Sequence, residues 1–136
     1  MKIIKNTPLL MLMFIGFFPI SLSNMSNDEL ISNISKAIQK GSAPEVASYF
    51  SSNVELLLPG NDGTFSKTQA EVILRNFFNE NPPASFSINH QGSSRDGSKY
   101  AIGTYKTKSG DSYRVYYLVK KVGDSFLLHQ LQFEKQ

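Results

Sequence analysis

Apolar side chains along this chain recur with a helical period in three stretches, then alternate with polar ones in consecutive stretches that run to the C-terminus. The first helical stretch carries Leu30, Ile31, Ile34, Ala37 and Ile38 behind Ser26-Asn27-Asp28-Glu29. That is a capping-box spacing, with acids at the positive end of the helix dipole. Gly41 stands where a C-terminal cap belongs. Ser42-Ala43-Pro44-Glu45 repeats the start signal with proline in the first turn, and the short helix it opens turns Val46, Ala47 and Phe50 inward. Asn53–Leu58 reads as a strand, stopped by Pro59-Gly60 and the turn residues Asn61-Asp62-Gly63. A third capping box, Ser66-Lys67-Thr68-Gln69, opens a helix over Ser66–Phe78 in which Ala70, Ile73, Leu74, Phe77 and Phe78 form the widest apolar stripe. It runs into Asn81-Pro82-Pro83.

Four further strands follow. Phe86, Ile88 and His90 alternate with Ser87, Asn89 and Gln91, and Gly92–Ser98 is a polar turn. Tyr100–Lys108 and Tyr113–Val122 are joined by Ser109-Gly110-Asp111, a hairpin turn, and Gly123-Asp124 leads into Phe126–Glu134. Two of these strands break simple alternation. Tyr113, Val115, Tyr117 and Val119 share one face while Tyr116 and Leu118 share the other, so both faces need cover. In the last strand Phe126 and Leu128 have even parity but Leu131 and Phe133 odd, which places a β-bulge across His129-Gln130. Early helices and late strands predict an α+β fold: three N-terminal helices packed on a strongly curved antiparallel sheet.

The N-terminus stands apart from this pattern. Lys2 and Lys5 precede an apolar Leu9–Ile20, and Ser21-Leu22-Ser23 supplies small residues for cleavage before Asn24, the three parts of a secretory signal peptide. Pro8, Gly16 and Pro19 leave the apolar run short of the roughly 20 residues a spanning helix needs, so no membrane span is expected after cleavage. The expected organisation is a cleaved segment 1–23 and a single domain over 24–136, exported to the periplasm or beyond. Removing Lys2 and Lys5 lowers the net charge from +3 to +1, 12 basic against 11 acidic residues, so a global argument for nucleic-acid binding fails. The chain contains no cysteine and hence no disulfide.

With these elements in place the chain resembles the nuclear transport factor two-like superfamily of cystatin-like, cone-shaped α+β rolls, which includes ketosteroid isomerase and scytalone dehydratase. The resemblance covers Asn27–Glu134 and lies in element order. His90-Gln91-Gly92, Tyr100-Ala101-Ile102-Gly103-Thr104, Tyr113-Arg114-Val115 and His129-Gln130-Leu131-Gln132-Phe133-Glu134 are similar to segments of a domain-of-unknown-function family of small exported bacterial proteins. That likeness implies a fold and an exported setting, and no activity. In the superfamily's isomerases a catalytic aspartate ends the first long strand, before a proline. Here that position is Leu58, whose side chain takes up no proton.

The remaining chemistry is sparse. His90 and His129 are the only histidines, without the spacing of a metal site, and no nucleophile elbow, phosphate loop or dinucleotide fingerprint is present. No catalytic residue, cofactor or metal ligand is therefore assigned. Tyr49, His90, Tyr105, Tyr117 and His129 are the candidate lining of a pocket for a small apolar or aromatic ligand, since a buried phenol seeks a partner. The basic residues between Lys99 and Asp124 read as protection of sheet edges, with no nucleic-acid partner. The expected function is non-catalytic binding of a small ligand or a protein, with homodimerisation through the sheet. The alternative is a small isomerase- or dehydratase-like cavity enzyme using one histidine, which a concave side filled by Phe77, Phe78, Phe86 and Ile88 would oppose.

Overall fold

The computed structural model describes residues 27–136. The segment 1–23 expected to be a signal peptide and Ser26, expected to cap the first helix, lie outside the described residues. Helix α1 (Asn27–Lys40) buries Leu30, Ile31, Ile34, Ala37 and Ile38, the stripe its spacing predicts. It ends in a Schellman motif: the Gly41 N–H donates to the Ile38 carbonyl at 2.9 Å and the Ser42 N–H to Ala37 at 3.1 Å, with Gly41 at φ +63°. A side chain at Gly41 would also bring its Cβ to 2.9 Å from Pro83 Cδ, so this glycine sets how closely the helix end approaches the sheet. Helix α2 (Ala43–Ala47) is capped by Ser42, whose Oγ accepts from the Glu45 N–H at 3.3 Å. Phe50, expected on this helix, instead opens the first strand, and it is buried there.

Strand β1 (Phe50–Leu58) thus begins three residues before the expected Asn53, and β2 (Asn61–Ser66) takes in Asn61-Asp62-Gly63, expected to be a turn. Only Pro59-Gly60 turns. Asn61-Asp62-Gly63 carries turn chemistry, but pairing with Leu56–Leu58 of β1 supplies the main-chain bonds that hold it extended. Ser66 ends β2 and caps helix α3 (Lys67–Glu80) with both halves of the capping box formed: Ser66 Oγ accepts from the Gln69 N–H, and Gln69 Oε1 from the Ser66 N–H, each at 3.3 Å.

The remaining strands are β3 (Pro83–Ser93), β4 (Lys99–Thr107), β5 (Ser112–Val122) and β6 (Ser125–Lys135). All six form one curved, unclosed sheet in the order β2-β1-β6-β5-β4-β3. The sheet is mixed, not purely antiparallel: β1 pairs β6 in parallel. Short turns force neighbours in sequence to run antiparallel, whereas β1 and β6 are joined by a long crossover that leaves direction free.

The bulge expected near His129 is present. Leu118 pairs with Gln130 and Val119 with Leu128, so His129 is the extra residue, and the bulge turns both Leu128 and Leu131 inward. A second bulge at Asn89 overturns the single-faced reading of β3: Ile88 pairs with Gly103, but His90 pairs with Ile102 on the opposite face. Gly92, expected in a turn, belongs to β3 and pairs with Tyr100, whose ring lies over it where a Cβ would stand.

The core gathers the inward faces of all three helices and of the sheet. Its densest part is aromatic. The Phe77 ring lies 4.7 Å from Phe133 and 5.4 Å from Tyr113, edge-on to the latter, and Tyr105 meets Phe133 edge-on at 5.2 Å. Phe78 closes the group at 6.1 Å from both Phe77 and Tyr105. Edge-to-face contacts of this kind add to the burial itself.

Candidate functional site

Among the described residues the inner face of the sheet is packed by the protein's own side chains, apart from an open groove of about 370 Å³ beside Phe86 and Ile88 against α1. Phe77, Phe78 and Phe86 are buried and Ile88 is packed against the same cluster, the arrangement that opposes a cavity enzyme. Leu58, where the superfamily's isomerases carry their acid, is buried as well. Two candidate pocket phenols belong to this packing. Tyr117 Oη donates to the Ile31 carbonyl at 2.8 Å, tying β5 to α1. Tyr105 Oη donates to the Asn81 carbonyl at 2.5 Å, tying β4 to the end of α3. Burial raises both phenols well above the ordinary tyrosine value, with neighbouring Tyr113 adding to the rise at Tyr105.

Asn81 is a junction that the chain's periodicity did not announce. Its Nδ2 donates to the Phe77 carbonyl at 3.2 Å, closing α3, and its Oδ1 accepts from Tyr113 Oη at 3.2 Å. The following carbonyl, Pro82, accepts from the Lys108 N–H at 2.9 Å. Asn-Pro-Pro reads from sequence as a helix stop. Its role as the knot between α3 and the sheet depends on tyrosines 24 and 32 residues away.

The other three candidates lie elsewhere. Tyr49 is half-buried before β1, and its carbonyl accepts from the Leu128 N–H at 2.7 Å. His129 sits half-buried at its bulge, where Nδ1 donates to the Leu127 carbonyl at 3.2 Å. Desolvation there, and then the Lys120 ammonium, lower its imidazole below the ordinary histidine value. His90 is exposed on the outer face, with Nε2 at 3.2 Å from Tyr100 Oη. The five residues are thus divided between the two sides of the sheet and do not converge.

The outer face has its own pattern. His90, Tyr100 and Tyr116 form a ring ladder across β3, β4 and β5, with centroids 5.8 Å and then 6.1 Å apart. Burial, and secondarily Tyr100, raise the Tyr116 phenol. Ile102 and Leu118 extend the apolar band beside it, and Thr104, Gln130 and Gln132 frame it; all five are half-buried. Arg114 and Glu134 pair in register at its end. The helix contacts described above all meet the inner face.

Among the described residues no group of histidine, cysteine, aspartate or glutamate is placed to hold a metal ion. Among them, too, no helix is long and apolar enough to cross a membrane.

This α+β arrangement with its six-stranded sheet is the fold seen in cystatin-fold and NTF2-like proteins. The chain is similar to an uncharacterized cystatin-fold protein from Novosphingobium aromaticivorans (15% identity, TM-score 0.63, covering 81% of this chain and 98% of that one). It is also similar to an NTF2-like protein of unknown function from Shewanella baltica (14%, 0.60, covering 80% and 90%). The Domain of unknown function (DUF4783) profile matches residues 31–134, and the chain belongs to that family. A DUF4783 family protein from Bacteroides ovatus shares 31% identity with it at a TM-score of 0.71, covering 77% of this chain and 94% of that one. No curated protein matches the sequence.

Proposed function

We propose that this chain is an exported, non-catalytic binding domain that self-associates through the outer face of its sheet. Export rests on the three-part segment over residues 1–23. Self-association rests on one observation: the outer face of the central strands carries the half-buried band Tyr100, Ile102, Tyr116 and Leu118, while the helices meet the opposite face. An antiparallel strand apolar on both sides needs cover on both. A second copy suits this band because a two-fold interface must complement itself. Gln130, Gln132, Thr104 and the tyrosine hydroxyls each carry both donor and acceptor, and Arg114 and Glu134 bring both signs of charge to one patch. The aromatic filling of the inner side favours a protein partner over a small apolar ligand in that space.

Sedimentation of the chain at tens of micromolar tests the reading. A dimer is expected, and Leu118→Arg, which sets a charge in the band without touching the inner core, should yield a folded monomer. A wild-type monomer at that concentration, or a dimer indifferent to Leu118→Arg, refutes it.

A further inference from the structure

The two open edges of the sheet are built differently. β3 begins with Pro83, directly after Pro82, is interrupted by two bulges, and has its Phe86 carbonyl engaged by the Gln39 amide of α1 at 3.0 Å. Proline and bulges are devices by which an edge refuses a further strand. β2 has neither. Its six residues pair with β1 in unbroken register and include no proline and no lysine.

The turn before β2 decides which of its main-chain groups stay open. Across the two-residue turn Pro59-Gly60, Leu58 and Asn61 form the first hydrogen-bonded pair, and bonded pairs then alternate along the hairpin. Asn61, Gly63 and Phe65 therefore bond to β1, while Asp62, Thr64 and Ser66 direct N–H and C=O away from the sheet. Ser66 reports this orientation independently, because its N–H donates to Gln69 Oε1 instead of to β1. Asp62 and Thr64 remain, presenting their main-chain donors and acceptors at the edge.

The two sides of that edge differ in chemistry. On the inner side Phe65, Thr68, Gln69, Val72 and Ile73 line a groove of about 360 Å³, and Val72 is 47% exposed. On the outer side stand Asp62 and, one strand in, Glu55 beside Thr64; neither forms an ion pair among the described residues. We infer that β2 accepts an extended segment of another protein as a seventh strand, one whose side chains alternate between apolar residues and lysine or arginine. The apolar side chains enter the groove beside Phe65 and Val72, the basic ones face Asp62 and Glu55, and the main chain bonds to Asp62 and Thr64. A second copy of β2 suits this edge poorly, because antiparallel pairing would gather two Asp62 and two Glu55 carboxylates on one face.

The test uses the full chain and two fluorescent nine-residue peptides, one alternating valine with lysine and one alternating valine with glutamate, read by anisotropy. The lysine peptide should bind at least about tenfold more tightly than the glutamate peptide. Thr64→Pro removes an outward N–H and no bond to β1, and should weaken the lysine peptide about tenfold or more, whereas Thr64→Val should not. Far-UV circular dichroism checks that the proline variant folds. Val72→Asn, on the exposed helix face, gives a second reading by removing apolar contact from the groove. Equal binding of the two peptides overturns the inference, as does binding unaffected by both Thr64→Pro and Val72→Asn. A wild-type dimer that Thr64→Pro dissolves, with no peptide bound, would show β2 meeting a second copy and also overturns it. Dissociation by Leu118→Arg bears on the outer face alone, so the two readings fail separately.

Discussion

Replacing Tyr117 with phenylalanine removes one oxygen from the core and leaves every carbon in place, so no cavity term enters. Tyr117 Oη gives up a 2.8 Å bond to the Ile31 carbonyl. That carbonyl lies within α1 and keeps its helical partner, the Ser35 N–H, by the ordinary four-residue spacing. The loss is then one net hydrogen bond, about 1 kcal/mol. Tyr105→Phe removes the same atom from a different setting. The Asn81 carbonyl it releases lies beyond the end of α3, and no other donor reaches it among the described residues. Asn81 is half-buried, so the acceptor left without its donor adds only the low end of a desolvation penalty, bringing the cost to about 2 kcal/mol. For a domain of this size these correspond to falls in Tm of about 4 °C and about 8 °C. Urea unfolding followed by far-UV circular dichroism measures both, since the chain contains no tryptophan to report by fluorescence. The denaturant slope should stay constant, as the surface exposed on unfolding does not change. A Tyr105→Phe cost no larger than that of Tyr117→Phe would refute the reasoning that the acceptor's second partner sets the difference.

Gly41→Ala should destabilise the fold by more than Gly110→Ala. Both glycines have positive φ, worth about 1–2 kcal/mol for an L side chain, but a Cβ at Gly41 also meets Pro83 at 2.9 Å while none lies within 4 Å of Gly110; equal losses in urea midpoint would contradict this. Stability should fall as pH drops below about 6.5, the unfolded histidine value, because desolvation and Lys120 depress His129 in the folded state and the unfolded chain takes up the proton first. His129→Gln should flatten that part of the pH–stability curve, and an unchanged slope would remove His129 as its source.

Much of the fold was legible locally. The start of α3 is written in Ser66 and Gln69, which meet within one turn of chain, and the end of α1 in Gly41, which needs only its own φ and two nearby carbonyls. The bulge at His129 was legible for the same reason: a change of parity between Leu128 and Leu131 is visible along the strand itself. The bulge at Asn89 was not, because His90 is tolerable on either face and no apolar residue beyond it betrays the switch. β2 was hidden by its composition. Asn-Asp-Gly favours a turn in isolation, and only β1 alongside makes it a strand. The five candidate residues illustrate the same divide: aromatic character and strand position could be read, but whether a phenol faces a void or a carbonyl could not.

By itself, then, the order of residues determined where α2 and α3 begin, that the β5 strand is apolar on both faces, and that an acid is missing before Pro59. These are statements about groups within a few residues of each other, where backbone geometry alone dictates contact. The tertiary structure decided that β1 runs parallel to β6, that Asn81 knots α3 to two tyrosines, and that the inner side is packed with rings. Each of those depends on segments brought together from far along the chain, and an apolar face has the same spelling whether its neighbour is another side chain or empty space.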